Sequence, residues 1–181
     1  MAKEFNYKIA KQILAAWAQD EVIPAAQRNI GATQPVRETN SKGTRIKRRR
    51  RVASGNLKSS LTFFIKKGGE GAKVVFTAKD PARSYAKVIE WGRSPGRRQP
   101  PTAEIRKWMD TKRVRLQAEG GGFIKETDAA RDAVAYLIAR KIGKYGFEGI
   151  HFYRDAINDK LPLLSDQIAK NIAEIFTDIP D

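Results

Sequence analysis

The sequence predicts an α+β fold, an antiparallel β-hairpin-based sheet packed with a long N-terminal helix and C-terminal helices. The prediction rests on apolar residues at four-residue steps near the start, two alternating runs either side of a glycine-rich turn, and helical periodicity through the second half. With 181 residues and 41% hydrophobic content, the chain is expected to be a single domain, 1–181, able to bury its own core.

The elements are taken in chain order. Phe5, Ile9, Ile13 and Trp17 give residues 3–22 one apolar helical face, and Pro24 is expected to end or kink that helix. From Gly31 to Ser54 the chain is polar, broken by Gly and Pro, and finally basic, which predicts a flexible basic loop over about 31–54. LKSSLTFFIK, from Leu57, and AKVVFTAK, Ala72 to Lys79, alternate apolar and polar positions around KGGEG, so they predict a β-hairpin with one buried face. SYAKVIEWG, Ser84 to Gly92, predicts a short helix with Ser84 at its start and Gly92 just past its end.

Three prolines make Arg93 to Pro101 a stiff basic linker. A helical half is expected over about 102–178. Within it Ile105, Trp108 and Met109 form one stripe, and Ala130, Val134, Leu137, Ile138 and Ile142 another in a helix opened by Thr127 or Asp128. The last helix comes after His151 and is expected to break or restart at Pro162.

Composition excludes several function classes. There is no cysteine, hence no disulfide, thiolate metal site or cysteine nucleophile. The longest apolar run, AVAYLIA, Ala133 to Ala139, is far short of the roughly 20 residues that span a bilayer, so no membrane association or leader is expected. His151 is the only histidine; beside Phe152 and Tyr153 at a helix start, it reads as a packing or capping residue. Asp155 and Asp159 share a predicted face, but two carboxylates alone make a solvated surface rather than a metal site. GGEGAK and EGGGF lack the pattern of a phosphate cradle. Neither an enzyme activity, a cofactor nor a metal is expected.

Charge points elsewhere. The net formal charge is +15, with +7 concentrated in residues 42–51, +7 in 79–115 and −4 in 145–181. The first cluster, Lys42, Arg45, Lys47, Arg48, Arg49, Arg50 and Arg51, contains no acid and suits DNA, a partner's acidic surface or plain solvation. Arg97 and Arg98 extend the basic character. A helix-turn-helix is not supported, because VRLQAEGGGFIKE is too long and too rich in glycine for its tight corner.

Three stretches in order carry a resemblance. SGNLKSSLTF, Ser54 to Phe63, is similar to the [ST]GxLxxS start of the first strand in tail-completion, or neck, proteins of long-tailed bacteriophages. YAKVIEWG, Tyr85 to Gly92, resembles their YAxxxExG segment, and QPPTAEIRKWM, AYLIARKIGKYG and HFYRDAI resemble a helical region found in a subset of them. IPAA, Ile23 to Ala26, is similar to the end of their N-terminal helix, although the interval from Pro24 to Gly55 is longer than usual in the family.

The resemblance implies a structural virion protein of the neck and tail junction, present in the host cytoplasm during assembly. It implies a homo-oligomeric ring, commonly hexameric, that meets the head connector or head-closure protein and the tail-tube or tail-terminator protein around packaged double-stranded DNA. It also implies no enzymatic activity. For such a ring, Trp91, Glu90, Arg93 and Trp17 are the expected subunit-interface residues, with Glu90 able to pair with an arginine of its own or the next subunit. Tyr85 and Ile89 fit the chain's own core at least as well as an interface. The alternative function is a non-specific DNA-binding protein acting through the basic segment outside any particle.

Overall fold

The computed structural model describes residues 2–40, 43–50, 55–68, 71–117, 121–123 and 125–177. The α+β architecture is as expected, but where one domain is expected the chain divides into two compact units. The first unit comprises Met1–Ala32, Leu57–Glu90 and His151–Asp181; the second comprises Thr33–Asn56 and Trp91–Ile150.

In the first unit the N-terminal helix does not stop at Pro24. α1 (Ala2–Trp17) passes through a π-helical turn (Ala18–Val22) into α2 (Ile23–Gly31). The Ile23 N–H reaches the Ala18 carbonyl five residues back, and Pro24 falls in the first turn of α2, where its missing N–H costs no helical bond. The widened turn is what lets a proline-containing helix continue. Its buried face, Trp17, Ala18, Val22, Ala26 and Ile30, forms much of the core of this unit.

β3 (Leu61–Gly68) and β4 (Gly71–Ala78) form the expected antiparallel hairpin, in register from Leu61 opposite Ala78 to Gly68 opposite Gly71. The strand begins four residues later than the alternation predicts. Asn56–Ser60 is a short helix, α3, and the Ser60 hydroxyl donates to the Leu57 carbonyl at 3.0 Å, an alternative to strand pairing that serine readily takes. Beyond it, Leu61 is buried, Phe63 and Ile65 are half-buried, and Phe64 and Lys66 are exposed. The turn residues Gly69 and Glu70 lie outside the described residues.

α4 (Arg83–Trp91) comes next, and the unit closes with α7 (Phe152–Thr177), which packs on α1 and α2. α7 runs through Pro162 without the expected break; Pro162 is exposed, so the carbonyl it deprives of a partner is open to water. Phe76 of β4 is the hub of an aromatic cluster, with ring centroids 6.0 Å from Trp17, 6.3 Å from Phe63 and 5.2 Å from Tyr153. The Tyr153 hydroxyl ties α7 to both strands, reaching the Thr62 carbonyl at 3.1 Å and the Thr77 carbonyl at 2.6 Å.

In the second unit the segment expected as a loop is a β-hairpin. β1 (Thr33–Asn40) pairs antiparallel with β2 (Gly43–Arg50), from Thr33 opposite Arg50 to Asn40 opposite Gly43. α5 (Thr102–Thr111) packs on α6 (Asp128–Tyr145) through Met109, Leu116 and Ala135. Thr127 caps α6 as expected, its hydroxyl accepting from the Ala130 N–H at 3.2 Å. Ala130, Val134 and Ile138 of the expected stripe pack against this core, Leu137 is exposed, and the fully buried positions of α6 are the small residues Ala135, Ala139 and Gly143, which permit close backbone approach. β5 (Gly92–Arg93) pairs with β6 (Phe147–Glu148).

Burial, reinforced by the Glu90 charge, holds the Tyr153 phenol well above its ordinary pKa of 10.0. The folded chain therefore keeps a proton that the unfolded chain loses first, so this contribution is intact below about pH 10 and is lost as pH rises above it. Tyr153→Phe is expected to cost about 1–2 kcal/mol by urea unfolding at neutral pH, with the gap to wild type narrowing above about pH 10.

Candidate functional site

Two regions hold the predicted site residues: the end of α4 with the turn beyond it, and the basic hairpin. Glu90, at the penultimate position of α4, is 6% exposed. Its carboxylate accepts from the Tyr153 N–H at 3.0 Å and the Arg154 N–H at 2.9 Å, while its own carbonyl accepts from the His151 N–H at 3.0 Å. Tyr153 and Arg154 supply first-turn donors of α7, which have no partner within their helix. Within the chain the Glu90 carboxylate thus caps a helix, where a pairing with an arginine is expected.

Trp17, also expected at a subunit interface, is packed within its own chain. It is 3% exposed, packs edge-on to Phe76, and its indole donates to the Lys160 carbonyl at 2.7 Å. Ala86 is buried as well, whereas Tyr85 is exposed at the surface and Ile89 half-buried. His151 sits at φ +49° ahead of α7, a left-handed conformation imposed where the chain turns into the helix. Asp155 pairs with Arg154 at 3.0 Å and Asp159 with Lys160 at 3.5 Å, so both carboxylates have ordinary surface partners.

Past Glu90, in the second unit, Gly92 has φ +77°, and a Cβ there would collide with the Phe147 carbonyl oxygen of the paired strand. Gly146 at φ +63° meets the Arg93 carbonyl oxygen in the same way, so each strand of this short pair has a glycine at its approach to the other. Trp91 is 58% exposed. Arg93 is half-buried and its guanidinium donates to the Arg98 carbonyl, which holds the turn that presents Arg97 and Arg98 to solvent. Trp91, Arg93, Arg97 and Arg98 therefore share one surface segment.

The structure places Arg45, Lys47, Arg48, Arg49 and Arg50 on β2, opposite Glu38, Val36, Pro35, Gln34 and Thr33. Arg45 is exposed. Lys42 and Arg51 lie outside the described residues. β1 contacts β6, which pairs with β5, so the hairpin and the Arg93–Arg98 turn belong to one group of short strands.

Division into units also separates charge in a way that the linear sequence hides. The second unit holds 21 Lys and Arg against 8 Asp and Glu, a net +13, whereas the first holds 14 against 12, a net +2. Four acids of the second unit are held in one network. Arg106 pairs with Asp128 at 2.7 Å, with Asp132 and with Asp110; Arg131 pairs with Asp110 at 2.7 Å and Glu126 at 2.6 Å.

Sequence reasoning missed this network and the Tyr153 hydroxyl, since both join residues far apart in the chain. Among the described residues no group of three or more His, Cys, Asp or Glu is placed to hold a metal ion, and no helix is long and apolar enough to cross a membrane. Comparison with protein-family models, with curated proteins and with solved structures gives no match.

Glu90→Ala leaves two buried N–H groups unpaired and is expected to destabilise the chain by about 3 kcal/mol in urea unfolding, with Glu90→Gln costing less because one carbonyl oxygen remains. Gly92→Ala should cost more than Gly55→Ala. Both glycines have positive φ, a strain of about 1–2 kcal/mol for alanine, but a Cβ at Gly55 meets nothing within 4 Å. Equal melting temperatures for the two variants would contradict this ordering.

Proposed function

We propose that the chain is a structural protein of the neck or tail junction of a long-tailed bacteriophage, acting by assembly into a ring that joins head connector to tail around the DNA path. The observation that carries the reading is where the motif residues fall. Gly55 of the SGNL segment needs its positive φ; in YAKVIEWG, Ala86 is buried, Glu90 caps a helix far along the chain, and Gly92 admits a strand backbone. The resembling residues thus each have a stereochemical reason to stand where they do, which is the support the reading has.

Ring formation needs a surface for the next copy. Trp91 is a large exposed aromatic followed two residues on by Arg93, and Trp and Arg are the residue types favoured at the energetic centre of interfaces. The hairpins add exposed strand edges available for pairing between copies. The hexamer, the head-connector or head-closure contact and the tail-tube or tail-terminator contact are parts of the same proposal, as is a place in the virion. Of the four residues expected there, Trp91 is the exposed one and Arg93 is half-buried, so these two are the first to test at the interface.

The second reading is a non-specific DNA-binding protein outside any particle, favoured by the net +13 of the second unit. Light scattering and negative-stain imaging, alone and with a connector or tail-tube partner, separate the two. Rings of hexamer mass, reduced to monomers by Trp91→Ser, are the expected result. A monomer that binds DNA tightly and ignores both partners would overturn the neck reading.

A further inference from the structure

We propose that the β1–β2 hairpin is a nucleic-acid-binding ribbon that enters a groove of duplex DNA and meets phosphates of both strands. This rests on the DNA-path part of the function proposed above, and needs no ring. Its basis is that the cations belong to a paired ribbon, which fixes their spacing and distributes them over two faces.

Arg45, Lys47 and Arg49 occupy alternate positions of β2, with Arg48 and Arg50 on the intervening ones, so the pleat assigns cations to both sides. Only one acid, Glu38, lies on β1, opposite Arg45, while Arg37 adds a further cation opposite Ile46. A flat acidic protein surface would neutralise one face and leave the other facing water. A groove offers phosphates on both walls.

Dimensions agree. Strand residues advance about 3.3 Å each, so the eight residues of β2 extend about 26 Å, and over that length of helix axis each DNA strand carries about eight charges, at roughly 3.4 Å of axis per charge. The major groove, about 12 Å wide, admits a two-stranded β-ribbon. At the loop end of the ribbon Gly43, Thr44, Arg45 and Ile46 are all exposed, with Ile46 at 68%, so the end that would enter first is not covered by the chain's own fold. Four acids elsewhere in this unit pair with Arg106 and Arg131, and with every acid counted the unit still carries a net +13. Recognition of this kind is by charge and shape, without sequence preference.

The test uses the full chain and a fluorescein-labelled mixed-sequence duplex, with polarisation read from 50 to 200 mM salt. Binding through both faces predicts a slope of log affinity against log salt of about −5 to −6, a loss of about a thousandfold across that range. Arg45→Gln/Lys47→Gln/Arg49→Gln should lower the slope by about 3 and Arg48→Gln/Arg50→Gln by about 2, with melting temperatures unchanged. A wild-type slope shallower than about −2, sensitivity to only one of the two variant sets, or equal binding of a single strand of the same length would each overturn the proposal. Competition by polyglutamate as effective as that by unlabelled duplex at equal charge would overturn it in favour of an acidic polypeptide partner. The wild-type slope and the strand comparison need no variant to fold. Light scattering of the same samples reports assembly separately: rings without the salt slope reject the ribbon alone, and the slope without rings rejects the neck reading alone.

Discussion

The Glu90 carboxylate on the first turn of α7 is the constraint around which the rest is arranged. α7 is 26 residues long, about 39 Å, and its first N–H groups carry the positive end of the helix dipole into a buried setting. A neutral cap would satisfy one or two donors; a carboxylate satisfies two and also opposes the dipole. Burying that charge would cost several kcal/mol if it were unpaired, so it is stable only because both oxygens are engaged and the low local polarity strengthens those bonds. The same residue takes the His151 N–H on its carbonyl. Since the chain leaves the first unit after Glu90 and returns at His151, one residue pins the exit to the re-entry and fixes the closure of the long excursion between them.

With its ends held together, the excursion begins and finishes as the β5–β6 pair, where Gly92 and Gly146 remove the two side chains that would keep the strands apart. The principle recurs on α6, where Gly143 lies close enough to the Arg97 carbonyl and Gln99 that a Cβ would press on them at 3.1 Å. Thus the second unit is built on close backbone approach and an arginine–carboxylate network, while the first is built on aromatic packing around Phe76. That difference bears on charge. The paired acids lie at the surface, Asp128 almost fully exposed, so the network is a surface one, and the second unit keeps a net +13 with those acids counted.

Elements with one buried face were legible. Period-four apolar spacing marks α1, alternation marks β3 and β4, and a threonine before an apolar-periodic run marks the start of α6. The β1–β2 hairpin was not, because TQPVRETN and GTRIKRRR have no apolar face for alternation to reveal, and Pro35 argues against a central strand. What signal existed was weak: β-branched Thr33, Val36, Thr39, Thr44 and Ile46, and the Asn40 to Gly43 turn. Glu90 was legible as an acid worth noticing but not as a cap, since its partners are 63 and 64 residues away and backbone donors leave no trace in sequence. Leu137 misled for the opposite reason: hydrophobicity predicts burial, yet close approach selects alanine and glycine.

Pairing of the basic segment changes the energetics of whatever it meets. A loop that orders on binding gives up about 1–2 kcal/mol per residue in backbone entropy, which over a segment of this length would consume most of the electrostatic gain. In the hairpin that cost is met during folding by the ladder from Thr33–Arg50 to Asn40–Gly43. Were such a segment to meet a polyanion, its cations would be offered at the intervals of the strand, and their attraction would appear as affinity instead of being spent on order. The repulsion among cations so close together is carried by the folded state, a cost that the Thr33–Arg50 to Asn40–Gly43 ladder must offset.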